Sequence, residues 1–219
     1  AGVKSFPINV YMKKNITIAI DGTAASGKGT LAKKLAKEFN YAHLDTGKLY
    51  RASALIIKEK DINYQNLKEI IKIIKDYNFT DFDFNNDKLK SDKIGRLASL
   101  ISGYKELREI LLLSQRKFAN KRHSKRLGVI LDGRDIGSVV LPEANIKFFV
   151  TASLRVRAER RWKELISLGQ STIKRHVEKD LRDRDERDSK RKHSPLIISP
   201  DAVLIDTTNL NADEVFLLA

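Results

Sequence analysis

The chain has no cysteine among its 219 residues, which excludes disulfides and thiolate metal sites and fits a reducing cytoplasm. Its four histidines, His43, His123, His176 and His193, are scattered without an HxxxH pair. Neither a histidine metal site nor histidine acid–base catalysis is expected from them, and no metal-ligating side-chain set is assigned. No apolar run approaches the roughly 18 residues that span a bilayer, so no membrane association is expected. The first residues, AGVKSFPINVY, lack the charged start and hydrophobic centre of a secretory signal. The only methionine is Met12, so 1–11 read as an N-terminal extension and 12–219 as a single domain. Internal repeats, low-complexity segments and the guanine-reading NKxD motif are missing as well.

Acidic residues are also in short supply: 28 against 42 Lys and Arg, a formal net charge of +14. Such an excess raises nucleic-acid binding as a function. The pattern argues against it, because the arginines of 155–191 are interleaved with acids and no aromatic platform accompanies them. Polyphosphate substrates want cations equally.

Short apolar runs recur at 16–20, 42–44, 129–131, 146–150 and 203–205, each of the kind that forms a strand buried on both faces. Helical spacing separates them: Leu31, Leu35 and Phe39; Leu67, Ile70, Ile71 and Ile74; Ile173, Val177 and Leu181. This alternation predicts an α/β fold, a doubly wound sheet of about five parallel strands flanked by helices. The stretch 61–102 shows helices and an irregular piece with little strand character and reads as an insert. Over 152–192, a helix carrying Leu154, Ala158, Trp162 and Leu165, a break at Leu168-Gly169-Gln170-Ser171 and a second charged helix read as a helical lid, with Trp162 packing the hairpin. Asn211 and Glu214 have capping-box spacing ahead of a short last helix.

The most specific signal is GTAASGKGT at 22–30, between an apolar run and a helix. Its GxxxxGK spacing is that of a loop whose backbone N–H groups surround phosphates while Lys28 reaches the β- and γ-phosphates, with the helix N-terminus adding its positive end. Gly29 follows Lys28, so the hydroxyl expected there is displaced to Thr30. Asp132 closes the run GVIL and fits either an acid that holds water on magnesium or the first residue of an Asp-Gly turn. Arg134 and Asp135 follow at the strand's carboxyl end, placing a cation and an acceptor together. Arg51 and Arg108, taken singly, read as solvated helix residues. In RDRDERDSKR at 182–191 and just ahead of it, the pairs Asp180/Arg184, Asp183/Arg187 and Arg184/Asp188 are spaced i,i+4, as on a surface helix.

These pieces together resemble the bacterial cytidylate kinases over nearly the whole length from Met12. IDGTAASGKGT is similar to that family's phosphate loop, LDTGKLYR, LREILLLSQR and LDGRDIGSVVLPEA to its monophosphate-site elements, and RDERDSKR to its arginine-rich closing segment. The resemblance implies that Gly22, Thr23, Ala24, Ala25, Ser26, Gly27, Lys28, Gly29 and Thr30 hold ATP, with Arg157, Arg160 and Arg161 closing over it. It implies that Thr46, Arg51, Ser99, Arg108, Arg134, Asp135, Arg184, Asp188 and Arg191 hold CMP or dCMP, that 61–102 is the monophosphate-binding subdomain, and that Lys28, Arg134 and Arg191 act on the transferred group. Mg²⁺ enters with ATP as phosphoryl donor. A cytoplasmic monomer is the implied setting. Two departures stand out: 79–90 is shorter than the family's insert and lacks its strand pair, and the C-terminal helix is short. Alternatives are a kinase of UMP, AMP or shikimate, or a non-enzymatic nucleotide-binding regulator.

Overall fold

The structure, a computed structural model, describes residues 16–79, 82–121 and 123–219; the extension expected at 1–11 lies outside the described residues. Strands β1 (Ile16–Gly22), β2 (Ala42–Asp45), β3 (Gly128–Gly133), β4 (Ile146–Thr151) and β5 (Val203–Asp206) form one sheet in the order β2-β3-β1-β4-β5, every pairing parallel. Helices α1 (Lys28–Glu38), α2 (Thr46–Glu59), α3 (Leu67–Lys75), α4 (Asp92–Ile101), α5 (Lys105–Asn120), α6 (Leu154–Ser167), α7 (Lys174–Lys190) and α8 (Ala212–Leu218) complete it. Each apolar run read as a strand is one. Each also continues a residue or two at its carboxyl end, which brings Asp21, Asp45, Asp132 and Asp206 into the strands.

Alternation with period two explains the apolar runs. Ile18, Ile20 and Ile130 pack on one face with Leu31, Leu35 and Val215, while Ala19, Val129 and Leu131 pack on the other with Ile136 and Val140. Phe39 and Ile173, expected to close helical stripes, are instead exposed cap residues of α1 and α7. The chain leaves β1 toward β2 on one side and β4 toward β5 on the other. A sheet wound this way opens a crevice beyond the carboxyl ends of those two strands.

A second core joins α2 to α3, α4 and α5 through Leu49, Leu55, Ile70, Ile74, Ile94, Ile101, Leu107 and Leu111. The described part of 79–90 contains a 3-10 turn at Asp87–Lys90 and no strand. It is pinned to that core by rings: Tyr77 against Phe79 at 5.3 Å and Phe82 against Phe84 at 5.1 Å. Gly169, at φ 72°, ends α6 and lets α7 fold back, and Val177 and Leu181 meet Ala158, Leu165 and Ala24. Trp162 packs this hairpin and donates from Nε1 to the Thr172 carbonyl at 3.1 Å. Asn211 and Glu214 form the capping box of α8.

Gly22 fixes how closely β1 and β4 approach where the phosphate loop begins. Its φ is 151°, and a Cβ there would stand 1.9 Å from the Val150 carbonyl oxygen. Gly22→Ala is therefore expected to cost on the order of 3 kcal/mol or more, from overpacking plus backbone strain. Thermal denaturation would read it as a Tm lowered by many degrees, and a Tm within a degree of wild type would refute the close-approach argument.

Candidate active site

Four of the described helices, α3, α4, α6 and α8, begin with a side chain capping their backbone N–H groups: Asn66, Ser91, Ser153 and Asn211. α1 does not. Its N-cap is Gly27 in the left-handed region at φ 93°, with no side-chain cap and no acid in the first turn. The orphan N–H groups and positive end of α1 thus face the loop. Ala25 is held at φ 58°, a strained conformation of the kind stored at ligand sites. The hydroxyls of Thr23 and Ser26 are buried without protein partners, in keeping with a cradle for an acceptor-rich anion. Gly29 sits under Asp132, and Thr30 is exposed on α1 along the outer cavity.

Lys28 stands half-buried where two cavities meet. Burial, and then the nearby Arg134 charge, lower its pKa to about 8, against a smaller opposing pull from Asp132 and Asp45. Asp45 and Asp132 are register partners on β2 and β3, and burial followed by the Asp132 charge raises the pKa of Asp45. Asp132 lies inside β3, not at the start of a turn, and its buried carboxylate accepts a hydrogen bond from His43 Nε2 at 2.6 Å. Asp21, at the end of β1, accepts from the backbone N–H groups of Ile136 and Gly137, each at 2.7 Å. This clamp holds the turn that presents Arg134 and Asp135, and burial raises the Asp21 pKa to about 6 despite those bonds.

The first cavity, about 520 Å³, is lined by Lys28, Thr46, Arg51, Ser99, Arg108, Arg134, Asp135, Arg184, Asp188 and Arg191 among others. Arg108, on α5, donates to Asp135 Oδ2 at 2.5 Å and to the Ser102 carbonyl at 3.1 Å, with its guanidinium 5.3 Å from the Tyr50 ring centre. Asp188 of α7, only 3 % exposed, receives Arg134 Nε at 2.9 Å and Arg191 at 3.4 Å, with Arg184 at 3.8 Å. Burial opposes its ionisation, but the three guanidiniums outweigh that and hold its carboxyl below the usual range. Burial and the neighbouring arginines lower Arg184 to about 9 and Arg191 in the same direction. Arg51 donates to the Leu89 carbonyl at 2.5 Å and packs on Gly95; burial, then Arg161, lower its pKa to about 10. Thr46 donates to the Asp132 carbonyl at 2.8 Å, and Ser99 is met by Arg187 at 3.2 Å.

Arg51 and Arg108 are therefore not the solvated helix residues their isolated positions imply, and the arginines of α7 are only partly a surface ladder. Asp180 pairs with Arg96 at 2.6 Å, Arg187 turns to Ser99, and of the three spaced pairs Arg184/Asp188 meets within 4 Å, at 3.8 Å and buried. Spacing within one helix misled because the partners come from other elements. Tyr50 and His43 had no sequence signal that pointed to these contacts, and the signal of Arg187, its spacing from Asp183, pointed elsewhere.

The second cavity, about 580 Å³, runs along Ser26 to Leu31 to Arg160, Arg161, Thr207 and Asn211. Arg160 donates to the Thr207 hydroxyl at 2.8 Å and carbonyl at 2.7 Å, and Thr207 in turn donates to the Ser26 carbonyl at 2.8 Å. Arg157 is a buried anchor, bound to the Ala152 carbonyl at 2.8 Å, the Ala24 carbonyl at 3.3 Å and Asp185 at 2.7 Å. Arg161 borders both cavities and reaches the Lys90 carbonyl at 3.1 Å. A wider surface groove of about 650 Å³, lined by Lys37, Lys121 and Arg126, lies at His43 and touches neither the loop nor the arginine cluster. We place the chemistry in the other two.

A phosphate loop after the central strand of a parallel sheet, with a cationic cleft on either side of its lysine, defines a P-loop kinase. The fold agrees with a gluconokinase from Sinorhizobium meliloti (TM-score 0.50, 13% identity, 94% of this chain and 89% of that one). The cytidylate kinase family model matches residues 18–218. A cytidylate kinase of Rhodospirillum rubrum is 43% identical over 92% of this chain and 94% of its own length, and one of Fusobacterium nucleatum 41% identical over 92% and 94%. The chain belongs to the cytidylate kinase family.

The lowered Lys28 pKa gives a signed prediction. Between pH about 8 and 10.5 the unfolded chain binds the proton that folded Lys28 has released, so its burial costs stability below pH about 8 and the cost fades as pH rises through that window. A phosphate beside Lys28 restores the charge. Calorimetry of ADP binding near pH 8.5, in buffers of different ionisation enthalpy, should show net proton uptake that Lys28→Arg abolishes. Buffer-independent heats in the wild type would remove Lys28 as the group that answers to phosphate.

Proposed function

We propose that the protein transfers the γ-phosphoryl group of ATP to CMP or dCMP, giving ADP and CDP or dCDP, as a cytoplasmic monomer that binds neither nucleic acid nor membrane. Its domain is read as 12–219, with 61–102 as the monophosphate-binding insert and 152–192 as lid and arginine-rich helix. The observation that carries the reading is the meeting of two cationic cavities at Lys28. The cavity along the phosphate loop suits the donor, with Arg160 and Arg161 at its rim. The arginine-lined one suits a nucleoside monophosphate, with Arg51, Arg134 and Arg191 toward its phosphate and Ser99, Arg108 and Asp135 toward its base.

The acceptor is a phosphate monoester with a second pKa of about 6, so at neutral pH it is already a dianion and needs no general base. What the residues must do is bring two anions into line and offset their repulsion. Lys28 and the guanidiniums supply this, stabilising charge on the transferred group. Forked guanidiniums suit phosphate oxygens better than ammonium groups do. The half-buried carboxylate of Asp45 has the buried Asp132 beside it, and burial followed by the Asp132 charge raises the Asp45 pKa, a setting a divalent cation would relieve. Asp132 would hold Mg²⁺ through water, the ion supplying charge neutralisation of the phosphates when bound. The rest of its ligands would come from the nucleotide phosphates and from water.

A coupled ADP-release assay offering CMP, dCMP, UMP, AMP and shikimate in turn tests the reading. CMP is expected to give the highest kcat/KM, and a preference for AMP or shikimate would displace it. ATP binding without any turnover would favour the regulator. Lys28→Ala should lower kcat by at least about 100-fold, the scale of losing one charge-stabilising group. Asp135→Ala should raise KM for CMP about tenfold or more, the worth of a charge-assisted hydrogen bond, while KM for ATP moves little; equal losses toward both nucleotides would tell against a base contact.

A further inference from the structure

His43 has a geometry that the reading above leaves unused. It sits on the edge strand β2, where a polar side chain is ordinarily solvated, yet its side chain is 16 % exposed and its Nε2 meets Asp132 Oδ2 at 2.6 Å, with Asp132 itself 2 % exposed. The other carboxylate oxygen, Oδ1, faces the first turn of α1, 3.9 Å from where a Cβ on Gly29 would stand. The two oxygens thus have separate assignments, one to the imidazole and one to the loop.

We infer that His43 is a positioning residue that fixes the rotation of the Asp132 carboxylate so that Oδ1 is presented to the metal–nucleotide complex in the phosphate loop. The inference rests on the phosphotransfer reading. Its physical basis is the field around Asp132. Lys28 attracts the carboxylate from the cleft, and Asp45 repels it from the neighbouring strand. A carboxylate with a single fixed bond to the strand side cannot swing toward Lys28, which leaves that ammonium for phosphate. The absence of a hydroxyl at Gly29 makes this placement matter more. Where the residue after the loop lysine carries a hydroxyl, that group helps hold the cation; here Gly29 has none, and Thr30, one residue further on, is exposed and lines the second cavity. Among the described residues outside α1 and the immediate chain neighbours of Gly29, Asp132 Oδ1 is the one heavy atom within 4 Å of a Cβ built at Gly29.

The test compares His43→Ala, which deletes the donor, with His43→Gln, whose amide restores one at similar reach. Two readouts are taken: kcat with KM for CMP and ATP, and Mn²⁺ affinity for the enzyme with ADP by electron paramagnetic resonance. His43→Ala is expected to lose roughly 10-fold or more in kcat and in Mn²⁺ affinity, the usual scale for groups that orient a metal-side ligand, with KM for CMP nearly unchanged. His43→Gln is expected to regain most of both. Wild-type Mn²⁺ affinity and kcat in both variants would overturn the inference, as would a His43→Gln variant as impaired as His43→Ala, or a change confined to KM for CMP. If wild-type protein bound ADP and Mn²⁺ but did not phosphorylate CMP, the phosphotransfer reading would fail alone, and the Mn²⁺ comparison would still decide the role of His43.

Discussion

A site for two polyanions must hold its cations together before either anion arrives, and the Asp188 carboxylate is the constraint that makes this feasible. Arg134 from the segment after β3, Arg184 from α7 and Arg191 from the residue that ends α7 converge on it, all within 4 Å. Burying one carboxylate is costly, but three guanidiniums repay it. The reverse also holds: without Asp188 the three cations would face one another in a medium that screens them poorly. Even so, one negative charge does not neutralise three positive ones. Burial first, and the neighbouring arginines after it, lower the pKa values of Arg184 and Arg191, a setting that a phosphate group would relieve.

The same logic recurs around the cavity. Arg108 of α5 has Asp135 from the segment after β3, Arg157 of α6 has Asp185 of α7, and Arg96 of α4 has Asp180 of α7. Each pair joins two parts of the chain, so the acids of α7 act as cross-links to α6, to α4 and to the segment after β3. Asp21 does this for backbone, tying the end of β1 to the turn after β3. The chain's acids are few, and several of them are spent on holding cations and turns in place.

That economy decides what was legible in the sequence. β1, β3 and β4 could be read because strands covered on both faces leave contiguous apolar runs; β2 and β5 carry the same runs although β2 is only half-buried and β5 exposes Val203 and Leu204. The phosphate loop was legible because close backbone approach at Gly22 and positive φ at Gly27 confine those positions to glycine. The capping box at Asn211 was local and therefore visible. What stayed hidden was long-range. Arg96 and Asp180 are 84 positions apart, and His43 and Asp132 are 89 apart, so no spacing rule connects them. The helical rule instead assigned Asp180 and Arg187 to neighbours on their own helix, whereas tertiary partners claimed both. In 79–90, a stack of aromatic side chains supplies the packing that a strand pair would have given, and such a stack has no period to read.

Arg157, Arg160 and Arg161 of α6, close in sequence, are unequal in consequence. Arg157 is committed to the Ala152 and Ala24 carbonyls and to Asp185, which fixes the base of α6 to the end of β4 and to the loop. It is a pivot, since moving it would unpair a buried charge. Arg160 braces Thr207, whose hydroxyl holds the Ser26 carbonyl, so it stiffens the phosphate loop from outside. Arg161 holds the neutral Lys90 carbonyl and an exposed carboxylate, Glu164. Charge-assisted bonds to phosphate are stronger than bonds to a neutral carbonyl, and an exposed ion pair contributes little. Of the three, Arg161 alone can exchange its present partners for a nucleotide at small cost. Because the Lys90 carbonyl belongs to the turn ahead of α4, that exchange would release the one bond by which Arg161 ties α6 to 87–90.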